Sequence, residues 1–453
     1  MIGATGALWQ DPTPQQAGSD FGNVERVHPV MLAVLGLLVV LLIALPRRHA
    51  TWPLVLLLCF VPAGQRFVLA TLDFPFVRVL ILAAWARLVV RDELRPLLWN
   101  RLDRLLLGWA LVSVLTGTLE AGTLTVFVNR SGAALDAMCT YFFFRQVIRT
   151  PADIATTARQ FLWCSFAVLG VMLYEHRTMH NMFGIFGGVP EITDMRDGRL
   201  RCQGAFAHPI LAGCFYATLL PFYAVLGFRG GRWALPVFGA VTAVAITVLT
   251  ASSTPIVAVL MCGVAAAVFP FRSALRYGRW LGFAVLVMLH FSMKQPIWHL
   301  LARIDVAGGS TGWHRFHLVD KFILNWHEWW LLGVPRTGHW GPGLQDVTNQ
   351  YVAEGVGGGV MRLLLFVLVI VAAFQGVSRS LRVPGIAPAE RLTHWALGTA
   401  LFLHCMNFIG VTYFEQIMSL WFFTLAAIGS TTLVRGVAPS RQLAAQNAVP
   451  AGA

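Results

Sequence analysis

Charged residues are scarce in this chain. Asp, Glu, Lys and Arg make up 12% of its 453 residues, whereas 57% are hydrophobic and the mean hydropathy is +0.66. A soluble domain has about 25% charged residues, so the chain lacks the polar surface that contact with water requires. This deficit favours an integral membrane protein over a soluble one.

The motifs of several enzyme classes and metal sites are absent as well. The sequence contains no Walker A loop, no GxGxxG segment after a strand, no HExxH pair and no DxD pair of the kind that holds a metal–nucleotide sugar. It has no CxxC pair, and all cysteines except Cys202 lie in or beside apolar runs. We therefore predict no nucleotide, no metal and no other cofactor, no disulfide framework, and buried free thiols.

Apolar runs dominate what is present. About thirteen of them approach the roughly 17–20 residues that cross a bilayer, and lipid allows only helices there. We predict an all-α, polytopic membrane bundle of about 12–13 helices, because some of the runs are short. The runs are 29–45, 51–65, 75–90, 105–119, 132–147, 160–175, 208–226, 233–250, 254–271, 279–293, 356–376, 392–410 and 414–434.

Arginine is concentrated in alternate connections between these runs, beginning after the first. The formal net charge of +13 comes from such short basic segments, so membrane topology explains it better than nucleic-acid binding does. The positive-inside rule makes these connections and the C-terminus cytoplasmic and the N-terminus external. No basic segment precedes the first run, so we expect a retained span rather than a cleaved signal peptide.

Both long connections fall on the opposite, outer side, and long loops in compact proteins are usually functional. The predicted organisation is 1–28 as an outward N-terminal segment, 29–293 as helices with an outward loop at 176–207, 294–355 as a large outward loop, 356–434 as C-terminal helices and 435–453 as a cytoplasmic tail.

One segment of the large loop, 313–332, has helical periodicity. Its apolar residues recur at i, i+3, i+4 and i+7, which predicts a single amphipathic helix at the membrane interface with tryptophan anchors. The apolar side comprises Val319, Phe322, Ile323, Trp326, Trp329 and Trp330.

Cations and polar groups collect in the two outer loops. Arg199 and Arg201 stand just before a helix that begins near Pro209, where guanidinium groups can bind a phosphate. Anchoring to lipid headgroups is the alternative for Arg199 and Arg196. In the second loop, four histidines are candidate general bases; they are His314, His317, His327 and His339. Asp346 and Glu354 are the nearby carboxylates, and Asp346 is equally a candidate turn residue.

Three stretches stand in a characteristic order: RCQGAFAHP at 201–209, Arg315 followed by EWWLLG at 328–333, and NQYVAEGVGG at 349–358. A weaker fourth runs from Arg130 through Asp136 to Arg145. Together they resemble the O-antigen ligase / O-antigen polymerase superfamily of bacterial envelope membrane proteins. Each motif is loose, and the resemblance rests on their order and on their common side of the membrane.

Members of that superfamily transfer a glycan from a polyprenyl diphosphate to an acceptor hydroxyl at the outer face of the inner membrane. The resemblance therefore implies a glycosyltransferase whose arginines stabilise the diphosphate leaving group. The implied partners are a polyprenyl-diphosphate-linked glycan, membrane lipids and other polysaccharide-assembly proteins, with no nucleic acid. The predicted catalytic residues are Arg201, Arg315, His317 and Asp346, and the predicted substrate-binding residues are Arg199, His208, Arg336, Asn349, Tyr351 and Glu354.

Two positions depart from the family pattern. Thr348 stands where the family has a His, and 252–255 reads Ser-Ser-Thr-Pro where many members carry an Arg. Because the ligase branch relies on that His, its loss favours a polymerase over a ligase. It also leaves the general base open among Asp346, His317 and His339.

Three other functions compete with a polymerase of lipid-linked repeat units. The ligase of the same superfamily is the nearest of them. A transporter or flippase of lipid-linked sugars would be expected to show inverted repeats and charges at the membrane midplane, which the sequence lacks. A structural subunit of an envelope complex would not need two outward arginine motifs.

Overall fold

The computed structural model describes residues 27–69, 72–303 and 311–446, so most of the predicted N-terminal segment lies outside the described residues. The fold is helical. Its helices are α1 Pro29–Ala44, α2 Trp52–Phe60, α3 Phe76–Val90, α4 Arg101–Ala121, α5 Leu124–Val147, α6 Pro151–Thr178, α7 Pro209–Gly230, α8 Ala234–Leu249, α9 Ser253–Val268, α10 Leu275–Ser292, α11 Thr311–Leu324, α12 Trp326–Trp329, α13 Gln350–Val356, α14 Gly359–Leu381, α15 Pro388–Phe408 and α16 Gln416–Gln446. Two short antiparallel hairpins accompany them, β1 Arg66–Leu69 with β2 Leu72–Pro75 and β3 Met195–Arg196 with β4 Arg199–Leu200.

Every apolar run of the sequence overlaps one of these helices. By length and composition, 5 helices in the described part of the chain are able to cross a membrane: Arg101–Ala121, Pro151–Thr178, Pro209–Gly230, Ser253–Phe271 and Gly359–Leu381. The shorter apolar helices are Pro29–Ala44, Ala234–Leu249, Trp280–Ser292 and Gln416–Thr431.

The second run is the clearest difference from the expected spans. Its helix, α2, has 9 residues and is therefore about 14 Å long, which is half the thickness of a bilayer core. The residues that follow α2 form turns and then a β-strand, and the helix does not continue. We conclude that α2 does not cross a bilayer as a regular helix.

Local sequence explains where the long helices begin. Asn100 and Asp103 form a capping box at the start of α4, and Thr150 and Asp153 form another at the start of α6. Proline occupies the first turn of α7, at Pro209, as the sequence predicts. The α7 helix is the most enclosed of the long apolar helices, with 83% of its apolar window buried, so it forms the centre of the bundle.

Successive connections lie at alternate ends of this bundle. At the basic end (45–51, 91–100, 148–150, 231–233, 269–274 and 382–387), Arg47 Nη1 donates to the carbonyl of Val147 at 2.6 Å. At the loop end (61–69, 72–75, 122–123, 179–208, 250–252, 293–303, 311–358 and 409–415), Gln65 Nε2 donates to the carbonyl of Phe186 at 2.7 Å. Both long loops therefore share one end, as the alternation of arginine in the sequence predicts.

The large loop folds around a small core of its own. Its buried side chains pack together apart from the main core; they are Leu318, Phe322, Trp329, Trp340, Leu344, Val347 and Val352. The prediction of one amphipathic helix over 313–332 is wrong in detail, because α11 ends at Leu324 and the short α12 begins at Trp326.

The break between α11 and α12 also divides the predicted apolar side. Trp329 turns back onto Phe322, their rings stack at 4.0 Å, and the Trp329 indole donates to the Phe322 carbonyl at 2.8 Å. Ile323, Trp326 and Trp330 remain exposed. One part of the predicted face thus builds the loop's core, and the other part forms an apolar outer edge.

Candidate functional site

The turn between α8 and α9 lies at the centre of the candidate site. In this segment, the Ser/Thr turn (residues 250–255), Ala251 adopts a left-handed backbone with φ of 42°. The side chains of residues 252–254 are buried. The turn packs tightly on α7, because a Cβ at Gly213 would come within 2.6 Å of it. A row of hydroxyl groups is thereby held at the loop end of the bundle.

Arg201 reaches this turn from the first long loop. Its Nη2 donates to Ser252 Oγ at 3.3 Å, and its Nη1 pairs with Asp194 Oδ2 at 3.2 Å. Arg201 is only 8% exposed, whereas the Asp194 side chain is 55% exposed. The guanidinium is therefore fixed against the turn, with its counter-charge on the solvent side.

Glu175 holds the backbone that carries Arg201, and sequence reasoning missed it. The carboxylate is fully buried and accepts hydrogen bonds from the backbone N–H groups of Gln203 at 3.0 Å and Gly204 at 2.9 Å, and from the Thr193 hydroxyl at 3.2 Å. Gly204 has a φ of 59°, which a Cβ would strain. The only signal in the sequence was a single acidic residue at the end of an apolar helix.

Arg315 reaches the same turn from the second long loop. It lies in α11, is 8% exposed, and its Nη2 donates to Thr254 Oγ1 at 2.9 Å. A charge-assisted bond of this length is stronger than one between neutral groups. Arg315 is therefore fixed against the α9 side of the turn.

The two arginines thus meet on one short segment. Ser252 and Thr254 are two residues apart, so their Cα atoms are at most about 7.6 Å apart. With the two hydrogen bonds added, the guanidiniums of Arg201 and Arg315 lie within the roughly 20 Å that long side chains and a diphosphate bridge. The first two sequence motifs therefore converge in space.

Asn349 brings the third motif to the same place. Its Oδ1 accepts from two backbone N–H groups in the first turn of α13, and its Nδ2 donates to the carbonyl of Ile409 at 3.1 Å. The next residue, Gly410, lies so close to Thr254 that a Cβ there would collide with Oγ1. Asn349 hence positions the 409–415 loop against the Ser/Thr turn.

His208 belongs to the Arg201 side of the site. Its Nδ1 accepts from the backbone N–H of Ile210 at 3.2 Å and so caps α7. Burial, and then the positive charge of Arg201, lower the pKa of His208 to about 4. The imidazole is therefore neutral at pH 7, and its Nδ1 is occupied by the cap.

The candidate bases of the second loop do not share the Arg315 position. His317 is two residues from Arg315 on α11, which places it about 200° around the helix axis, and it packs beside Gly341. His314 Nε2 lies 3.2 Å from the Asp346 carbonyl oxygen. Burial raises the pKa of the Asp346 carboxyl, with His314 acting in the opposite direction. Both histidines of α11 thus face the 341–346 segment.

Thr348 and His339 also lie in surroundings that do not suit a general base. The Thr348 hydroxyl oxygen is shielded from solvent and has no hydrogen-bond partner within the described residues. His339 lies 2.6 Å from Glu328 on the exposed surface of the loop. A hydroxyl that water does not reach and a surface histidine paired elsewhere are poor general bases.

The remaining predicted binding residues are two exposed arginines and two side chains with partners of their own. Arg199 is exposed in β4, and Arg336 is exposed after α12. Tyr351 donates its hydroxyl to the carbonyl of Cys405 at 3.3 Å. Glu354 is fully buried and pairs with Arg362 at 2.8 Å.

Sequence reasoning also missed Glu415, at the end of the 409–415 loop. Its φ of 56° is rare for a residue with a side chain, and its carboxylate pairs with Arg66 at 3.3 Å. Burial raises the pKa of Glu415 to about 7, against the charge of Arg66 and with a further rise from Asp73 and Asp136. Arg66 and Asp73 belong to the β1–β2 hairpin, so Glu415 joins that hairpin to the site loop.

A pH-dependent stability follows from Glu415. The pKa of Glu415 in the folded protein exceeds the value of about 4.3 that a glutamate has in an unfolded chain. Protonated Glu415 therefore makes its full contribution to the free energy of unfolding below a pH of about 4.3, and this contribution is lost as pH rises through about 7. We expect Glu415→Gln, which cannot ionise, to be more stable than the wild type at pH 8 by about 1–3 kcal/mol and to match it at pH 4. Thermal unfolding of the purified protein at both pH values measures this difference.

The control for this prediction is Glu191→Gln, which changes an exposed carboxylate at the same end of the bundle. Its unfolding curves should follow those of the wild type at both pH values. Parallel pH profiles for Glu415→Gln and the wild type would refute a titration of Glu415 near neutrality.

No protein-family model matches this chain, and no characterised protein matches it significantly. The family resemblance therefore stands on the sequence motifs themselves. Their meeting at one turn is a property of the fold, independent of any relative.

Proposed function

We propose that this protein is a multi-pass membrane glycosyltransferase that polymerises polyprenyl-diphosphate-linked oligosaccharide repeat units of a surface polysaccharide. The observation that carries the proposal is the convergence of two buried arginines, Arg201 and Arg315, on the Ser/Thr turn. They come from different loops at the same end of a bundle of apolar helices. Such a site suits an anion that is carried by a lipid.

The chemistry matches this charge pattern. In the proposed reaction an acceptor hydroxyl attacks the anomeric carbon of the donor sugar, the bond from that carbon to the diphosphate oxygen breaks, and a base takes the hydroxyl proton. Negative charge then develops on the departing diphosphate, and fixed guanidiniums stabilise it most strongly where water is excluded. Arg201 and Arg315 supply this stabilisation without reorganising, because each is already held by a hydroxyl of the turn.

The membrane arrangement forms part of the proposal. We place the basic end in the cytoplasm and the loop end outside the bacterial inner membrane, with the N-terminus external and the C-terminus cytoplasmic, because arginine-rich short connections stay inside. The exposed leucines of α4, Leu111, Leu115 and Leu119, then face lipid. The lipid-linked donor meets the arginines at the outer surface.

Removing the protein from cells tests this function. Loss of a polymerase leaves single repeat units in place of long chains on the acceptor lipid, which electrophoresis of the extracted glycolipid resolves. A ligase defect instead leaves long polymer on polyprenyl diphosphate and bare acceptor lipid. A flippase defect leaves lipid-linked repeat units on the cytoplasmic side, out of reach of an external glycosidase. Either of the last two patterns would contradict the polymerase.

A further inference from the structure

A second pair of arginines lies on the other side of α13. Arg130 is half-buried in α5 and rests on Gly117 of α4, where a Cβ would come within 2.8 Å of its Nε. Within residues 27–69, 72–303 and 311–446, Arg130 makes no hydrogen bond and no ion pair. A partly desolvated guanidinium with no partner is costly unless an anion binds to it.

Arg362 of α14 is held close to it through the same stretch of α4. A Cβ at Gly358 would be 2.6 Å from Arg362 Cδ and 2.7 Å from the hydroxyl of Thr116, the neighbour of Gly117. Arg362 Nη1 donates to the Gly357 carbonyl at 2.9 Å. Glycines thus make room for a guanidinium on each side of residues 116–117.

The charges around this pair leave Arg130 available to a ligand. Glu354 forms an ion pair with Arg362 at 2.8 Å and accepts a hydrogen bond from the Trp109 indole at 2.8 Å. The charged groups that act on Arg130 are Arg362, Glu354 and Glu120. Arg362 is thus neutralised by Glu354, whereas Glu354 and Glu120 act on Arg130 without forming an ion pair with it in the described part of the chain. Two guanidiniums packed around residues 116–117 are an arrangement that suits a phosphate group.

The position of this pair relative to the first site suggests its role. The α13 helix has 7 residues and is therefore about 10 Å long. Asn349, at its start, connects to the Ser/Thr turn, and Glu354, near its end, connects to Arg362. Two cationic sites therefore flank one short helix at the loop end of the bundle.

We propose that Arg130 and Arg362 bind the diphosphate of a second lipid-linked molecule, the glycan acceptor. This inference rests on the proposed function, since joining two lipid-linked repeat units requires one site for each diphosphate. The Ser/Thr turn with Arg201 and Arg315 holds the donor, whose diphosphate leaves. The Arg130–Arg362 pair holds the acceptor, whose diphosphate is retained.

Binding stoichiometry tests the second site. Farnesyl diphosphate is titrated into the purified full-length protein in detergent by isothermal calorimetry, and we expect 2 equivalents for the wild type, one per site. Arg130→Ala should lose one equivalent or weaken it at least tenfold, as should Gly117→Ala, which keeps the arginine but displaces its Nε. Thermal unfolding of each variant checks that the fold is intact. Arg177→Ala, an exposed arginine at the same end, should keep both equivalents.

Each outcome separates this inference from the proposed function. A double Arg201→Ala, Arg315→Ala variant should lose the other equivalent. If the wild type binds one equivalent that only this double variant loses, the donor site stands and the acceptor site is refuted. If only Arg130→Ala loses binding, the donor assignment fails instead. Displacement of the probe from the Arg130 site by an equal concentration of phosphatidylglycerol would identify a general headgroup site and overturn the acceptor assignment.

Discussion

Replacing Arg315 with alanine is expected to abolish long-chain polymer, and replacing Arg201 is expected to do the same. Each guanidinium is buried and held over one turn, by Thr254 at 2.9 Å and by Ser252 at 3.3 Å. Removing one preorganised donor that stabilises developing charge lowers an enzymatic rate by about 10²–10³-fold. A loss of that size leaves single repeats where chains of many units were made. Electrophoretic profiles of extracted polysaccharide measure the change.

Lysine variants at the same positions make this test sharper. Lys keeps the charge but lacks the planar fork that binds two oxygens of a phosphate and a hydroxyl at once. We therefore expect Arg315→Lys to restore part of the activity, with shortened chains. A purely structural role would instead be expected to restore full chain length with lysine, provided that the protein level is normal.

Arg177→Ala provides the matched control, because it removes an exposed arginine from the same end of the bundle. Protein level in the membrane should be largely unchanged in every variant, since a hydrogen bond to a charged group, of the kind that each alanine removes, contributes about 1.5–3 kcal/mol. Normal polymer length in both Arg201→Ala and Arg315→Ala would exclude the proposed function.

The helical framework could be predicted from the sequence, because hydrophobic runs determine where helices form. Each run overlaps a helix. Hydrogen bonds from both long loops to the Ser/Thr turn put the loops at one end of the bundle, and the side of the membrane on which that end lies stays a prediction. The length of α2 could not be predicted in the same way. Its apolar run continues past Phe60, but Pro62 disfavours helical backbone at Val61, so the helix ends there and the chain enters the hairpin that carries Arg66.

The Ser/Thr turn shows how a departure from a family pattern can mislead. Read as sequence, 252–255 is a place where an expected arginine is missing. In the fold, Ser252 and Thr254 are the groups to which Arg201 and Arg315 bind. The contacts join residues 51 and 61 positions apart, and no local pattern reveals pairings of that separation.

The roles of isolated acidic residues were also not predictable from the sequence. Glu175 and Glu415 stand alone in apolar or loop sequence, and nothing beside them indicates a partner. Their partners are backbone N–H groups 28 and 29 residues away for Glu175 and a guanidinium 349 residues away for Glu415. A buried carboxylate needs such partners, so an acidic residue in an otherwise apolar segment is itself the useful signal.

Replacing Glu354 with alanine is expected to destabilise the fold by about 3–5 kcal/mol, because it leaves a buried charge unpaired. Its carboxylate is fully buried and forms an ion pair with Arg362 at 2.8 Å. It also accepts hydrogen bonds from the Trp109 indole at 2.8 Å and the Gln350 amide at 2.7 Å. These contacts connect α4, α13 and α14. The loss should appear as a lower unfolding temperature and less folded protein in the membrane fraction.

A surface carboxylate and a double variant control for this effect. Glu328→Ala breaks a partly exposed pair with His339 and a hydrogen bond from the Trp340 indole, and it should cost about 1–2 kcal/mol, less than Glu354→Ala. Glu354→Leu combined with Arg362→Met removes both buried charges, and apolar replacement of a whole buried pair is often neutral, so the double variant should recover most of the loss. Equal unfolding temperatures for Glu354→Ala and Glu328→Ala would show that the buried pair does not hold the three helices together. In that case Asn349 alone would fix α13 between the two arginine sites.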